Sequence, residues 1–269
     1  MPYIEVEPGV RLYYEDFGEG KPFLFVHGGA QSHDMWEQQV YELADHFRTI
    51  TYDLRGCGES DKPSTGNTLE GFVADLEAIV ARLKLQDITL VCHGIAGYIG
   101  VTFAVRHQDL VSRLVMVGTA ARFSGADEER GGFDVDLWNN YKKAMAVNKT
   151  QACAWLIDNT FFHKDPGPAT KQVILETMVK WPIYSWKMVN RSFEKVDLAP
   201  ILGDLKARTL ILHGEHDRKQ RYSGVEHLAK CIPGSRIVTF AESAHMPHLE
   251  EPEKFNRVLM DFVEGRADT

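Results

Sequence analysis

The chain has four cysteines in 269 residues, no run of basic residues, no long apolar stretch and no internal repeat. Each scarcity removes a class of function. Cys57, Cys92, Cys153 and Cys231 form no C-x-x-C pair and no spacing suited to a zinc knuckle or a disulfide framework, so they read as reduced thiols of a cytoplasmic protein. With 30 basic and 38 acidic residues the formal charge is −8, and no basic run is interleaved with aromatics. Nothing therefore draws the chain to nucleic acid or to an anionic membrane surface. No apolar run approaches the ~20 residues that cross a bilayer. The opening MPYIEVEPGV lacks the basic and apolar regions of a signal peptide. Nothing in the sequence sets an oligomeric state.

What is present is an ordinary globular balance, 44% apolar and 25% charged, in a length that suits one sizeable domain with an inserted lobe. YIEVEPGVRLYYEDFG alternates apolar and polar residues about a Pro-Gly turn, the pattern of a hairpin with one solvated face. Six short apolar runs follow: PFLFVHG, RTITYDL, ITLVC, RLVMVG, RTLILHG and RIVTFA. Most end in Gly, Asp or a small residue, as strands buried on both faces do. In LEGFVADLEAIVARLKL the apolar residues Leu69, Phe72, Val73, Leu76, Ile79, Val80 and Leu83 fall on one helical stripe. Alternation of this kind predicts the α/β class: a mostly parallel twisted sheet with helices on both faces.

The alternation lapses between Ala121 and Pro200, where LWNNYKKAMAVNKTQACAWLIDNTFF and TKQVILETMVKWPIYSWKMVNRSF read as helices without intervening strands. The expected organisation is a core formed by residues 1–120 and 201–269, with residues 121–200 as an inserted helical lobe. Four of the five tryptophans lie in that lobe: Trp138, Trp155, Trp181 and Trp186. Most aromatics there belong to the lobe's own core and its seam with the sheet. A subset, together with Met246, is the candidate lining of an apolar pocket.

Ligands of open α/β sheets bind beyond the carboxyl ends of the strands. The residues just after each run are His27-Gly28-Gly29, DLRGCGES, LVCHGIAGYIG, HGEHD and AESAHMPHLEEPEKF. On these segments the chain resembles the α/β-hydrolase fold family with a helical cap, similar to carboxylesterases and lactonases. The family's G-x-S-x-G nucleophile elbow aligns with Cys92-His93-Gly94-Ile95-Ala96, which departs from it at three points. Cys92 and Ala96 are small enough for the turn, but Gly94 falls where the catalytic serine belongs.

The resemblance implies a chain order of nucleophile position, acid and histidine at Gly94, Asp217 and His245. Asp217 closes HGEHD, with Glu215 the less favoured neighbour, and the turn after RLVMVG offers only TAAR and no carboxylate. Of eleven histidines, His245 begins H-x-x-x-x-E-x-P-x-x-F, with Glu250, Pro252 and Phe255 in register; His248 is the alternative. His27 and His93 are assigned to loop packing and hydrogen bonding, and Asp53, Arg55 and Ser60 to bracing the site. An imidazole titrates near neutrality, so His245 can take a proton from a nucleophile and return it to a leaving alkoxide, while Asp217 holds its tautomer. The amides of Gly29 and Ile95 are the expected oxyanion hole, and no metal or organic cofactor is implied.

Three accounts of the glycine are open. The natural residue is serine and glycine replaces it by intent; the glycine is native in a ligand-binding protein; or His245 activates a water, or runs a lyase step, across the open space. The first is favoured, because the acid, the histidine and both oxyanion positions stay in register around one missing group. The aromatic lobe and Met246 point to a small hydrophobic carboxylic ester or lactone as the partner.

Overall fold

The structure is a computed structural model and describes residues 2–123, 132 and 135–266. Its centre is an eight-stranded sheet made of β1 (Tyr3–Glu7), β2 (Val10–Phe17), β3 (Pro22–Val26), β4 (Arg48–Tyr52), β5 (Ile88–His93), β6 (Val111–Val117), β7 (Arg208–Gly214) and β8 (Arg236–Phe240). The spatial order is β1-β2-β4-β3-β5-β6-β7-β8. The hairpin β1-β2 and the β2-β4 pair are antiparallel, and every pairing from β4 to β8 is parallel. The switch in direction follows the sequence. β2 alternates buried and exposed residues near its start, whereas β3 and β5 are buried at every position. Strands covered on both faces require continuous apolar runs.

The helices are α1 (Glu37–Leu43), α2 (Leu69–Leu83), α3 (Ala96–Arg106), α4 (Val135–Val147), α5 (Lys149–Leu156), α6 (Pro168–Lys180), α7 (Ile183–Phe193), α8 (Ala199–Leu202), α9 (Tyr222–Cys231), α10 (Pro247–Glu250) and α11 (Pro252–Glu264). A 3₁₀ turn at His33–Trp36 precedes α1, and a π-helical turn at Ile157–Phe161 follows α5. In α2 the apolar stripe is buried from Phe72 to Val80, and the Thr68 side chain caps the start by accepting the Gly71 amide. α3 is buried from Ala96 to Ala104 and lies close against the sheet. A Cβ on Gly97 would meet Thr119 Oγ1 at 2.3 Å, so only glycine permits that approach.

Between β6 and β7 the described residues form only helices, α4 to α8 with the π-helical turn. The first long helical stretch divides at Asn148, whose side chain caps α5 by accepting the Gln151 amide. The second divides at Trp181-Pro182, since the proline ring restricts the residue before it to extended backbone. At the neck of this excursion Arg122 bridges Asp197, with Arg122 Nε donating to the carboxylate at 2.8 Å. No helix among the described residues is long and apolar enough to cross a membrane.

Candidate active site

β5 delivers the chain into a sharp turn at Gly94 before α3 begins. Gly94 takes φ +56°, the left-handed region that side chains rarely adopt. Its amide donates to Val117 O at 2.9 Å, and its carbonyl accepts the Thr119 hydroxyl at 2.9 Å, so the turn is fixed from β6. A Cβ built on Gly94 would lie 3.8 Å from His245 Nε2 and 3.9 Å from Gly28 Cα, both ordinary contacts. The space beside the imidazole is open to a short side chain, and the backbone conformation is the one strained feature of placing it there.

Asp217 sits in the turn after β7 and His245 in the loop after β8, and parallel pairing of the two strands brings these turns together. His245 Nδ1 donates to Asp217 Oδ2 at 2.8 Å, while Asp217 Oδ1 accepts the amides of Lys219 at 2.7 Å and Gln220 at 3.0 Å. Assigning the proton to Nδ1 leaves Nε2 as the basic nitrogen turned toward Gly94. Burial drives the His245 pKa well below the ordinary histidine value, and the Lys219 charge acts in the same direction. Burial also raises that of Asp217, opposed by His213 and the two amides. The three hydrogen bonds it accepts favour the ionised carboxylate.

Backbone contacts anchor the histidine loop. The His245 amide donates to Phe161 O at 3.1 Å, and His93 Nε2 donates to His245 O at 2.9 Å, with ring centroids 4.7 Å apart. Glu250 accepts the Ala244 amide at 2.7 Å and the His163 amide at 2.6 Å, so it ties this loop to the helical excursion. His248 instead packs against Trp36 and His93, and Glu215 is exposed with its amide bonded to Phe240 O. Gly118 is a neighbour that the sequence reading did not single out. A Cβ on Gly118 would stand 2.9 Å from His245 Nδ1 and Cε1, so the glycine that follows β6 makes room for the imidazole.

The Gly28-Gly29 loop after β3 faces the elbow. The Gly28 amide donates to Gln31 Oε1 at 2.9 Å, and a Cβ on Gly29 would be 3.2 Å from Ile95 Cδ1. Among the described residues no hydrogen bond occupies the amides of Gly29 or Ile95. Below this loop Asp53 accepts the His33 amide at 2.6 Å and the Glu59 amide at 2.7 Å, Ser60 Oγ donates to Asp53 O at 2.6 Å, and Arg55 pairs with Asp75 and Glu7. His27 Nε2 accepts the Leu54 amide at 2.9 Å.

Residues 21–164 match the model of the alpha/beta hydrolase fold family. The chain belongs to that family. Over 265 residues it is 32% identical to the AB hydrolase superfamily protein YisY of Bacillus subtilis, covering 97% of this chain and 98% of the relative. Among solved structures it is similar to an esterase from Exiguobacterium antarcticum, with TM-score 0.92, 28% identity and coverage of 97% and 98% of the two chains. It is also similar to the enol-lactonase from Burkholderia xenovorans LB400, with TM-score 0.85, 25% identity and coverage of 98% and 100%.

In this α/β-hydrolase a cavity of about 70 Å³ opens above Gly94 and His245. Its walls include Trp138, Trp181 and Trp186, together with Phe123 and Phe161. Two expected pocket residues lie elsewhere. Trp155 is 45% exposed and lines a surface groove between α4 and α5, because it occupies the outer side of α5. Met246 is buried, but it faces a second cavity between the loop after β3 and α6, with Gln31 Nε2 3.6 Å from its Sδ. Adjacency to His245 in sequence sends consecutive side chains to different sides of the loop. Lys219 lines the cavity above Gly94, and nothing in its immediate sequence announced it.

Proposed function

We propose that the chain is the framework of a carboxylic ester or lactone hydrolase whose nucleophile position is filled by glycine, a substituted form that binds small hydrophobic substrates and turns them over poorly. The observation that carries this reading is the open position at Gly94, 3.8 Å from the basic nitrogen of an acid-supported His245. The esterase and enol-lactonase similarities support the same chemistry. Helices α4 to α7 then act as the cap over the site, and the free cysteines accord with a reducing, cytoplasmic setting.

With serine at position 94 each group has a role. His245 Nε2 takes the hydroxyl proton as the oxygen attacks the carbonyl carbon, and the amides of Gly29 and Ile95 donate to the developing oxyanion. Collapse expels the alcohol, which receives its proton from His245. Water, activated by the same nitrogen, then releases the acid. Asp217 stabilises the imidazolium in both halves of the cycle. Without the hydroxyl, substrate binds and is polarised but no acyl group is transferred. What the oxyanion hole and binding retain in such a case is roughly 10³–10⁴ over water.

The test is Gly94→Ser assayed on short aliphatic esters, aryl esters and lactones. Hydrolysis well above that of the glycine chain supports the reading. Absence of hydrolysis across the panel overturns it in favour of a protein that binds such ligands without reacting.

A further inference from the structure

Tyr98 stands on α3, just beyond Gly94, and lines the cavity above that position. Its side chain is buried, and its hydroxyl has no hydrogen-bond partner among the described residues. A buried polar group left unpaired is costly, so each instance asks for a reason. Other polar side chains of the same wall are engaged. Gln31 Oε1 accepts the Gly28 amide, His93 Nε2 donates to His245 O, and Asn190 Nδ2 donates to Trp186 O at 2.7 Å. Two further residues of the wall, Trp181 and Gln220, also carry an unpaired polar atom. Trp181 Nε1 faces Gly56, where a Cβ would stand 3.0 Å from it and 3.4 Å from Asn67 Oδ1, so its indole is set against the loop after β4. Gln220, in the turn after β7, has no such explanation: its buried amide oxygen accepts nothing among the described residues.

We propose that Tyr98 recognises a hydroxyl on the substrate, so that the cavity takes a short ester or lactone whose acyl part carries an alcohol group as well as the scissile carbonyl. The identity of the reacting group rests on the hydrolase reading above; the choice of a hydroxyl does not. Tyr98 follows residue 94 by about one helical turn, and the acyl part is the portion joined there, whereas the leaving alcohol is the portion that takes its proton from His245. A hydroxyl both gives and takes a hydrogen bond, so it suits a phenol, and also an amide whichever way Gln220 is turned, without bringing a charge into an apolar space. Burial raises the Tyr98 pKa well above the ordinary phenol value, and Asp197 acts in the same direction, so the group is a neutral hydroxyl at physiological pH. The cavity of about 70 Å³ corresponds to space for roughly five waters at ~10–15 Å³ each. That limits the acyl part to a short chain.

The experiment is calorimetric titration of the chain, glycine retained, with methyl 2-hydroxybutanoate and methyl 3-hydroxybutanoate, each compared with methyl butanoate. One neutral hydrogen bond gained in a buried site gives the better hydroxy ester an advantage of roughly three- to tenfold. Tyr98→Phe abolishes that advantage and leaves the binding of methyl butanoate unchanged. Because the hydroxyl is unpaired in the free protein, the same substitution leaves the urea unfolding midpoint unchanged or raises it, whereas loss of a hydroxyl that serves the fold would lower it. Equal binding of all three esters, no detectable binding of either hydroxy ester, an advantage that survives Tyr98→Phe, or a lowered midpoint in that variant overturns the assignment. Because the ratio is read without a nucleophile, it stands or falls separately from the hydrolysis assay of Gly94→Ser.

Discussion

Gly94 at φ +56° occupies a backbone region that costs an L-residue about 1–2 kcal/mol, and its Cβ position meets nothing closer than 3.8 Å. Gly94→Ser is therefore expected to lower the thermal unfolding midpoint by a few degrees while it introduces activity, a divergence that differential scanning calorimetry and an ester assay read together. In that serine background Asp217→Asn is expected to reduce kcat by about 10⁴, because an amide cannot stabilise the imidazolium and allows the wrong tautomer. Burial of His245 places the acid limb of kcat/KM below the ordinary histidine range: activity is retained as pH falls to about 6.5 and is lost further down. At this scale the sequence was partly readable. Asp217 and His245 announce themselves by their places after the last two strands. Gly118 and Lys219 do not, because each reaches the site through a tertiary contact that no local spacing encodes. Trp155 and Met246 misled for the same reason, since composition shows an aromatic lobe without showing which face of α5 or of the histidine loop is turned inward.

The elements were the most legible level, since apolar runs for β3 to β7 and one stripe for α2 leave little choice of partner surface; β8, read as a strand covered on both faces, is instead only half-buried from Arg236 to Thr239 because it is the edge of the sheet. Less visible was how the elements are tied. Arg55, in the loop after β4, pairs with Asp75 on α2 and with Glu7 on β1, and both Arg55 and Asp75 are almost wholly buried. Removing one partner of a buried pair strands the other charge, a loss of about 3–5 kcal/mol. Asp75→Ala is expected to fall at the lower end of that range, because Glu7 remains to the guanidinium, and urea unfolding measures it. The effect of Asp75→Ala on the midpoint should exceed that of Gly94→Ser.

For the whole molecule, five buried histidines set the acid side of the stability profile. His27, His93, His213, His245 and His248 all have pKa values lowered, by burial first in every case. Below about pH 6.5 the unfolded chain binds protons that the folded chain does not, so stability falls with pH by up to about 1.4 kcal/mol per unit for each of them. His33 acts oppositely. Burial alone would lower its pKa, but the Asp53 carboxylate outweighs this and raises it to about 9, so its contribution is complete in acid and lost as pH rises through that value. Urea midpoints are expected to be highest near about pH 7, to drop steeply toward about pH 5, and to lose the His33 contribution as pH rises from about 6.5 to about 9; a flat profile on the acid side would contradict the buried, neutral histidines. The whole assembly of sheet, loops and helical excursion converges on one open place beside His245, and the most direct probe of it is the intact mass of the Gly94→Ser protein quenched during turnover of an aryl ester. An acyl adduct mapping to residue 94, absent from the glycine chain and diminished by replacement of His245, is the expected result. Ester hydrolysis with no adduct at residue 94, or an adduct carried equally by the glycine chain, would contradict it.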